Sequence, residues 1–272
     1  MFAPGAARRV SASRLCSAAA RLRGGAPDEE PLGKYLDSVE EAAEALRAGR
    51  LVAFPTETVY GLGGHALDAE VVSSIFTTKG RPRSDPLIVH VATAEAAEAL
   101  VELCPASLTL MRRLMSEFWP GPLTIVAPAG AAVPSAVTAG SGFVGVRLPA
   151  HRRAVELLRA AGVPVAAPSA NRFGHVSPTR PEHVMHDLGA HPIFVLRPES
   201  SGEAGAAAAA GEAAPAASAA SGVACCDVGI ESTVVKIDAA ASELVLLRRG
   251  GVPESELVLL GGHFDDGGGR CD

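Results

Sequence analysis

Three cations stand within five residues in Lys79-Gly80-Arg81-Pro82-Arg83, and a strand-like run, Leu87-Ile88-Val89-His90-Val91, follows closely. Long cationic side chains on a loop stiffened by proline suit a polyphosphate, because arginine offers a bidentate fork and lysine a compact point charge. A basic loop alone is more often a solvated surface turn. This one has company in three hydroxyl-bearing segments: Pro55-Thr56-Glu57-Thr58, Ser169-Ala170-Asn171 with Ser177 behind it, and Glu231-Ser232-Thr233. They lie at the ends of strand-like runs, where open α/β sheets bind ligands. A serine or threonine there usually caps the next helix. Three such segments together with a basic loop predict a polar pocket, with Thr56 leaving its strand as a free hydroxyl beside a glycine-rich turn.

Other candidates are weaker on their own. His90 alternates with apolar residues and, taken by itself, reads as a hydrogen-bonded core histidine. Arg147, closing Val144-Gly145-Val146-Arg147-Leu148-Pro149, is placed either to clamp a carboxylate or to form a surface ion pair. Arg248-Arg249-Gly250 ends the last strand with two cations, for phosphate or for solvent. Phe76, Met111, Met115 and Phe118 fall at helical spacing and belong to the core.

The elements that must hold these residues alternate in type. Ser38 with Glu41 three residues on reads as a capping box for an Ala/Leu-rich helix that stops at Gly49. Residues 51–55 form a short strand entering a loop over 56–64, followed by a helix at about 68–78 with Val71, Val72, Ile75 and Phe76 on one stripe. Further strands are expected at 87–92, 123–127, 144–148, 163–167, 193–196, 232–237 and 244–248. Helices are expected after Thr93, at 107–118, 151–161 and 181–188, and as a short segment near the end. This alternation predicts an α/β domain, and the close spacing of the last two strands predicts some antiparallel pairing, hence a mixed sheet.

Composition narrows the field. With 272 residues, 48% hydrophobic, the chain can bury a core without staples. Its five cysteines are scattered, with Cys225 and Cys226 adjacent and no CxxC, which argues against a zinc site or disulfide framework and fits a reducing compartment. Residues 1–27 carry five arginines and no acid, resembling an organellar transit peptide, mitochondrial ahead of plastid, with a cytoplasmic protein bearing a disordered extension as the alternative. Without those arginines, 19 basic residues face 30 acidic ones, a balance of −11 that speaks against broad nucleic-acid binding. Aromatics at 4% leave little for base stacking, and no run is long enough to span a membrane. Residues 199–224 are almost wholly Ala, Gly, Ser and Glu and are expected to form a mobile low-complexity loop, as is a disordered tail over 261–272.

Five motifs, in order between Ser38 and Val252, resemble the YrdC-like threonylcarbamoyl-AMP synthases: Pro55-Thr56-Glu57-Thr58-Val59-Tyr60-Gly61-Leu62; Lys79-Gly80-Arg81-Pro82 with Pro86 to Val91; Val146-Arg147-Leu148-Pro149; Ala167-Pro168-Ser169-Ala170-Asn171 with Gly174 and Ser177-Pro178-Thr179; and Gly229-Ile230-Glu231-Ser232-Thr233-Val234-Val235. The resemblance implies a YrdC-like α/β domain over 36–260, preceded by a leader over 1–30: a twisted mixed parallel/antiparallel sheet flanked by helices, with a concave polar cavity. It implies that L-threonine, bicarbonate or CO₂, and ATP become threonylcarbamoyl-AMP and pyrophosphate. A downstream transferase complex would then carry the group to the adenosine beside the anticodon of tRNA, with at most weak tRNA contact by this chain. Lys79 and Arg81 would be catalytic and hold triphosphate, with Arg83 assisting. Ser169, Asn171, Ser177 and Arg248 would join them on the nucleotide side. Thr56, His90, Arg147, Ala167 and Ser232 would surround threonine. Mg²⁺ would arrive with ATP and need no protein cage.

Three residues depart from the family pattern: Phe143 stands for a small polar residue, Lys236 for an acid and Arg249 for a proline. The 199–224 segment interrupts the usual short link into Glu231, and with some twenty residues after the last motif the chain is expected to be of the single-domain form. The competing readings are a noncatalytic RNA-binding module of the same fold and a related enzyme that adenylates carbamate itself.

Overall fold

The computed structural model describes residues 32–198, 226–238 and 243–258. The expected leader, the low-complexity 199–224 segment and the 261–272 tail lie outside the described residues. Cap chemistry sets several helix limits. Ser38 accepts the Glu41 amide at 3.2 Å and opens α1 (Val39–Arg47), although Glu40 rather than Glu41 returns a carboxylate to the serine. Asp68 caps α2 (Ala69–Lys79) through the Glu70 and Val71 amides, and Gly80 ends it at φ 64°, in the left-handed region that glycine enters without strain. Thr93 caps α3 (Ala94–Glu98); α4 (Pro105–Phe118), α5 (Ser135–Thr138), α6 (Arg152–Ala161), α7 (Pro181–Leu188) and α8 (Glu254–Val258) complete the helices among the described residues.

The strands are β1 (Lys34–Leu36), β2 (Leu51–Phe54), β3 (Gly61–His65), β4 (Ile88–His90), β5 (Leu123–Pro128), β6 (Phe143–Arg147), β7 (Val165–Ala166), β8 (Ile193–Leu196), β9 (Thr233–Asp238) and β10 (Glu243–Arg248). They form one sheet in the order β1-β8-β2-β3-β7-β4-β6-β5-β9-β10. Parallel pairs (β1 with β8, β2 with β8, β4 with β6, β5 with β9) mix with antiparallel ones, including the expected β9–β10 pair. The glycine-rich loop expected over 56–64 is shorter than that. Gly61–His65 is a strand antiparallel to β2, in which glycine spares the Phe54 and Val165 side chains that a Cβ on Gly63 would meet at 2.8 Å. Neither β1 nor α5 is evident from local pattern.

Strand alternation sends side chains to two faces. On one, Leu51, Ala53, Val146, Ile125 and Val235 pack with Val71, Val72, Ile75 and Phe76 of α2 and with Met111, Leu114 and Met115 of α4. On the other, Val52, Phe54 and Val165 pack beneath Ala42, Ala43 and Leu46 of α1 and Ala154, Leu157 and Leu158 of α6. The α1–α6 layer covers the β2–β3–β7 side. Beyond it, the same face of β4, β6, β5 and β9 carries His90, Arg147, Thr124 and Val234, and this second helical layer does not extend over them. A concavity lies where the layer stops.

Candidate functional site

Two residues form the hinge of that concavity. His90 on β4 and Arg147 on β6 are register partners, so both side chains rise from the same face at the end of the helical layer. They line a cavity of about 140 Å³ together with Thr56, Thr58, Val59, Gly61, Arg81, Pro86, Ile88, Ala167, Pro168, Ser169, Glu231, Ser232 and Arg248. That volume is smaller than the roughly 300–1,000 Å³ of drug-sized sites.

Arg147 is fixed on three sides. Its Nε donates to Gly121 O at 3.2 Å, Nη1 to Thr58 Oγ1 at 3.1 Å, and Nη2 to Glu57 Oε1 at 2.6 Å, in a buried ion pair. The other oxygen of Glu57 accepts the Ala150 amide at 3.1 Å. The alternative of a surface ion pair for Arg147 is therefore wrong: the pair is buried, at 4% and 6% exposure. A guanidinium carries five N–H groups, so one on each Nη remains for a ligand. Thr56 departs from expectation too, since its hydroxyl is not free. It donates to Val59 O at 2.6 Å and accepts the Thr58 and Val59 amides, so the 2.8 Å contact with Thr58 Oγ1 has Thr58 as donor. Thr56 shapes the turn and faces the cavity with a satisfied oxygen.

Burial, and next the Arg147 charge, push His90 down to about 3, so its imidazole is neutral at physiological pH. Its Nδ1 is buried without a hydrogen-bond partner, and its ring meets Phe54 edge-on at 5.9 Å. Such a group orients a ligand by hydrogen bonding and is too weak a base to take a proton from an ammonium. Across the cavity, Ser232 Oγ sits 2.8 Å from Thr124 Oγ1, and Arg248 donates to Ser232 O from Nε at 3.1 Å and from Nη2 at 2.9 Å. Burial lowers the proton affinity of Arg248; Glu231 opposes, while Arg147 and Arg81 add to the lowering. Arg248 thus feels both other guanidiniums across the cavity. Three cations face one lining carboxylate, Glu231, while Arg147 is also paired with Glu57 and Arg81 with Asp85 at 3.6 Å.

Four expected site residues do not line the cavity. Lys79, 3% exposed, directs its ammonium to the carbonyls of Ser169 and Asn171, the latter at 2.5 Å. Asn171 spends its amide nitrogen on Arg172 O and His175 O at 2.8 and 2.7 Å, while its Oδ1 is buried and unpartnered. Ser177 donates to Glu231 Oε1 at 2.8 Å, and Arg83 to Ser73 Oγ at 2.6 Å. Arg81 does line the cavity, but its Nη2 also holds Pro86 O at 3.1 Å. Glu57, Thr58 and Glu231 were missed as site residues. The signal was present in the motif Thr56-Glu57-Thr58, where a carboxylate between two hydroxyls has an arginine to find. Among the described residues, no cluster of His, Cys, Asp or Glu is arranged to hold a metal. No helix among them is long and apolar enough to cross a membrane.

The family profile Sua5_yciO_yrdC, described as "Telomere recombination", matches residues 44–207. A threonylcarbamoyl-AMP synthase of Pyrococcus abyssi is 41% identical over 216 residues, 79% of this chain and 55% of the relative. One of Bacillus subtilis is 39% identical over 232 residues, 84% of this chain and 58% of the relative. The crystal structure of P. abyssi Sua5 complexed with L-threonine superposes with a TM-score of 0.69 at 36% identity, covering 88% of this chain and 65% of that one. The chain therefore spans just over half the length of these two synthases.

Proposed function

The chain belongs to the Sua5/YciO/YrdC family, and from that premise we propose that it is an L-threonylcarbamoyladenylate synthase, joining L-threonine, bicarbonate or CO₂, and ATP with release of pyrophosphate. The observation that carries this reading is the convergence of Arg81, Arg147 and Arg248 on one small hydroxyl-lined cavity. The neutral amine of threonine adds to CO₂ and gives up a proton to solvent, leaving a carbamate; a carbamate oxygen then attacks the α-phosphorus of ATP in line, and pyrophosphate leaves. Both partners in the second step are anions. Cations fixed beforehand lower the cost of bringing them together, each such donor being worth about 10²–10³ in rate. The free Nη hydrogens of Arg147 suit the threonine carboxylate, with Ser232, His90 and the walls at Thr56 and Ala167 around it. Arg81, Ser169 and Arg248 suit the phosphates, and the orphaned Oδ1 of Asn171 suits a donor on the nucleotide. Mg²⁺ would accompany ATP and neutralise its phosphates. The product would pass to a threonylcarbamoyl-transferring complex acting on tRNA, and the arginine-rich first 27 residues fit import into an organelle.

The test is pyrophosphate release by the purified protein with ATP, Mg²⁺ and bicarbonate, with and without L-threonine. Release should require threonine and bicarbonate, with the adenylate visible by mass spectrometry, and Arg81→Ala should lower it by about 10²–10³. Pyrophosphate release independent of threonine would overturn the substrate assignment and favour adenylation of carbamate itself.

A further inference from the structure

Lys79 is nearly fully buried, yet it does not line the cavity. Its side chain and its backbone both bind one neighbouring turn. The ammonium donates to the carbonyls of Ser169 and Asn171, and Lys79 O accepts the Phe173 amide at 2.9 Å. The turn has other anchors: on its β3 side Ala170 donates to Tyr60 O at 2.8 Å and Gly61 bridges to Ser169, and towards α7 the Arg172 amide donates to Asp187 Oδ2 at 3.2 Å. On the α2 side, this lysine holds the turn at both of its ends, at Ser169 and at Phe173.

We propose that Lys79 is a positioning residue, whose ammonium and carbonyl staple the Ser169-Ala170-Asn171 turn to the end of α2 so that Ser169 and the Asn171 acceptor are presented in fixed geometry. The staple itself follows from the contacts alone; its consequence for ligand binding rests on the proposed nucleotide reading. A protonated amine holds two carbonyls more strongly than a neutral one. The charged groups facing it are Arg81, on the loop after α2, and Asp187 on α7, which itself holds His175 at 3.1 Å. Burial, with Arg81 adding and Asp187 opposing, brings Lys79 down to about 7. The staple therefore loosens as pH rises through neutrality.

Hydrogen exchange of the full chain without ligand tests the staple. In Lys79→Met the amides of Ala170 and Phe173 should exchange on the order of tenfold faster, the lower end of what a charged hydrogen bond contributes, with the central strands unchanged. Unchanged protection at these amides would overturn the proposal. Should that variant not fold, wild-type protection of the turn, corrected for intrinsic exchange, should fall as pH rises through about 7, and a flat profile would count against it. Affinity provides the second arm: Lys79→Met should weaken ATP and adenosine by the same factor, whereas a loss confined to ATP would identify a direct phosphate ligand and overturn the positioning role. The pH step in affinity should vanish in Lys79→Met and persist in His175→Gln. If neither ligand binds the wild type, the nucleotide reading fails while the exchange result still decides the staple.

Discussion

At the scale of single residues, the site is built from groups that hold one another before any ligand arrives. Glu57 is the least conspicuous of them in the sequence and among the most connected in the structure. It pairs with Arg147, accepts the Ala150 amide, and its own carbonyl accepts the Val228 amide at 2.7 Å. Removing one partner of a buried pair leaves an uncompensated charge, at a cost of about 3–5 kcal/mol. Glu57→Gln should therefore lower the urea midpoint clearly and weaken any threonine dependence of turnover; a midpoint equal to wild type would show that the pair contributes nothing net. The residue types at 56–58 were legible as polar site material. Their partners were not, because Arg147 lies some ninety positions away and only the strand order β2-β3-β7-β4-β6 brings it there.

At the scale of elements, strand entry and strand exit decide what each loop can present. Gly250, just after β10, passes over the turn that leads into β9 so closely that a Cβ there would lie 2.3 Å from Glu231 O and 2.4 Å from Ser232 C. Those neighbours are backbone and cannot swing aside. Gly250→Ala should cost at least the ~1–3 kcal/mol of ordinary overpacking and displace Ser232 from the cavity, seen as a lowered melting temperature together with reduced activity. Wild-type values for both would mean that the turn yields without effect. Elements also account for two departures from the family pattern. Phe143 on β6 and Lys236 on β9 face each other across β5, with the Lys236 ammonium 3.8 Å from the ring centroid. Two changes that look unrelated in the sequence form one cation–π contact. Arg249, the third, pairs with Glu254 at 3.0 Å at the surface.

At the scale of the whole molecule, the cavity depends on an asymmetry of layers. Helices cover one sheet face from β2 to β9, and the other only as far as β7, so His90 on β4 is buried at the boundary. Its pKa near 3 is lower than the ordinary 6.5, so between those values the unfolded chain takes up a proton that the native state refuses. The stability associated with neutral His90 is intact above about 6.5 and is lost as pH falls towards 3. The melting-temperature advantage of wild type over His90→Gln should accordingly shrink between pH 7.5 and 4.5, and a constant difference would contradict a buried neutral imidazole. Local pattern in the sequence determined most of the helices and strands, the mixed character of the sheet, and which segments carry the site chemistry, because caps, periodicity and turn residues act over a few positions. It left open the state of each site group: the occupied hydroxyl of Thr56, the buried pairing of Arg147, and the commitment of Lys79 to backbone. Those were decided only by the tertiary structure, because hydrogen-bond satisfaction and desolvation depend on neighbours that the sheet order brings together from distant parts of the chain.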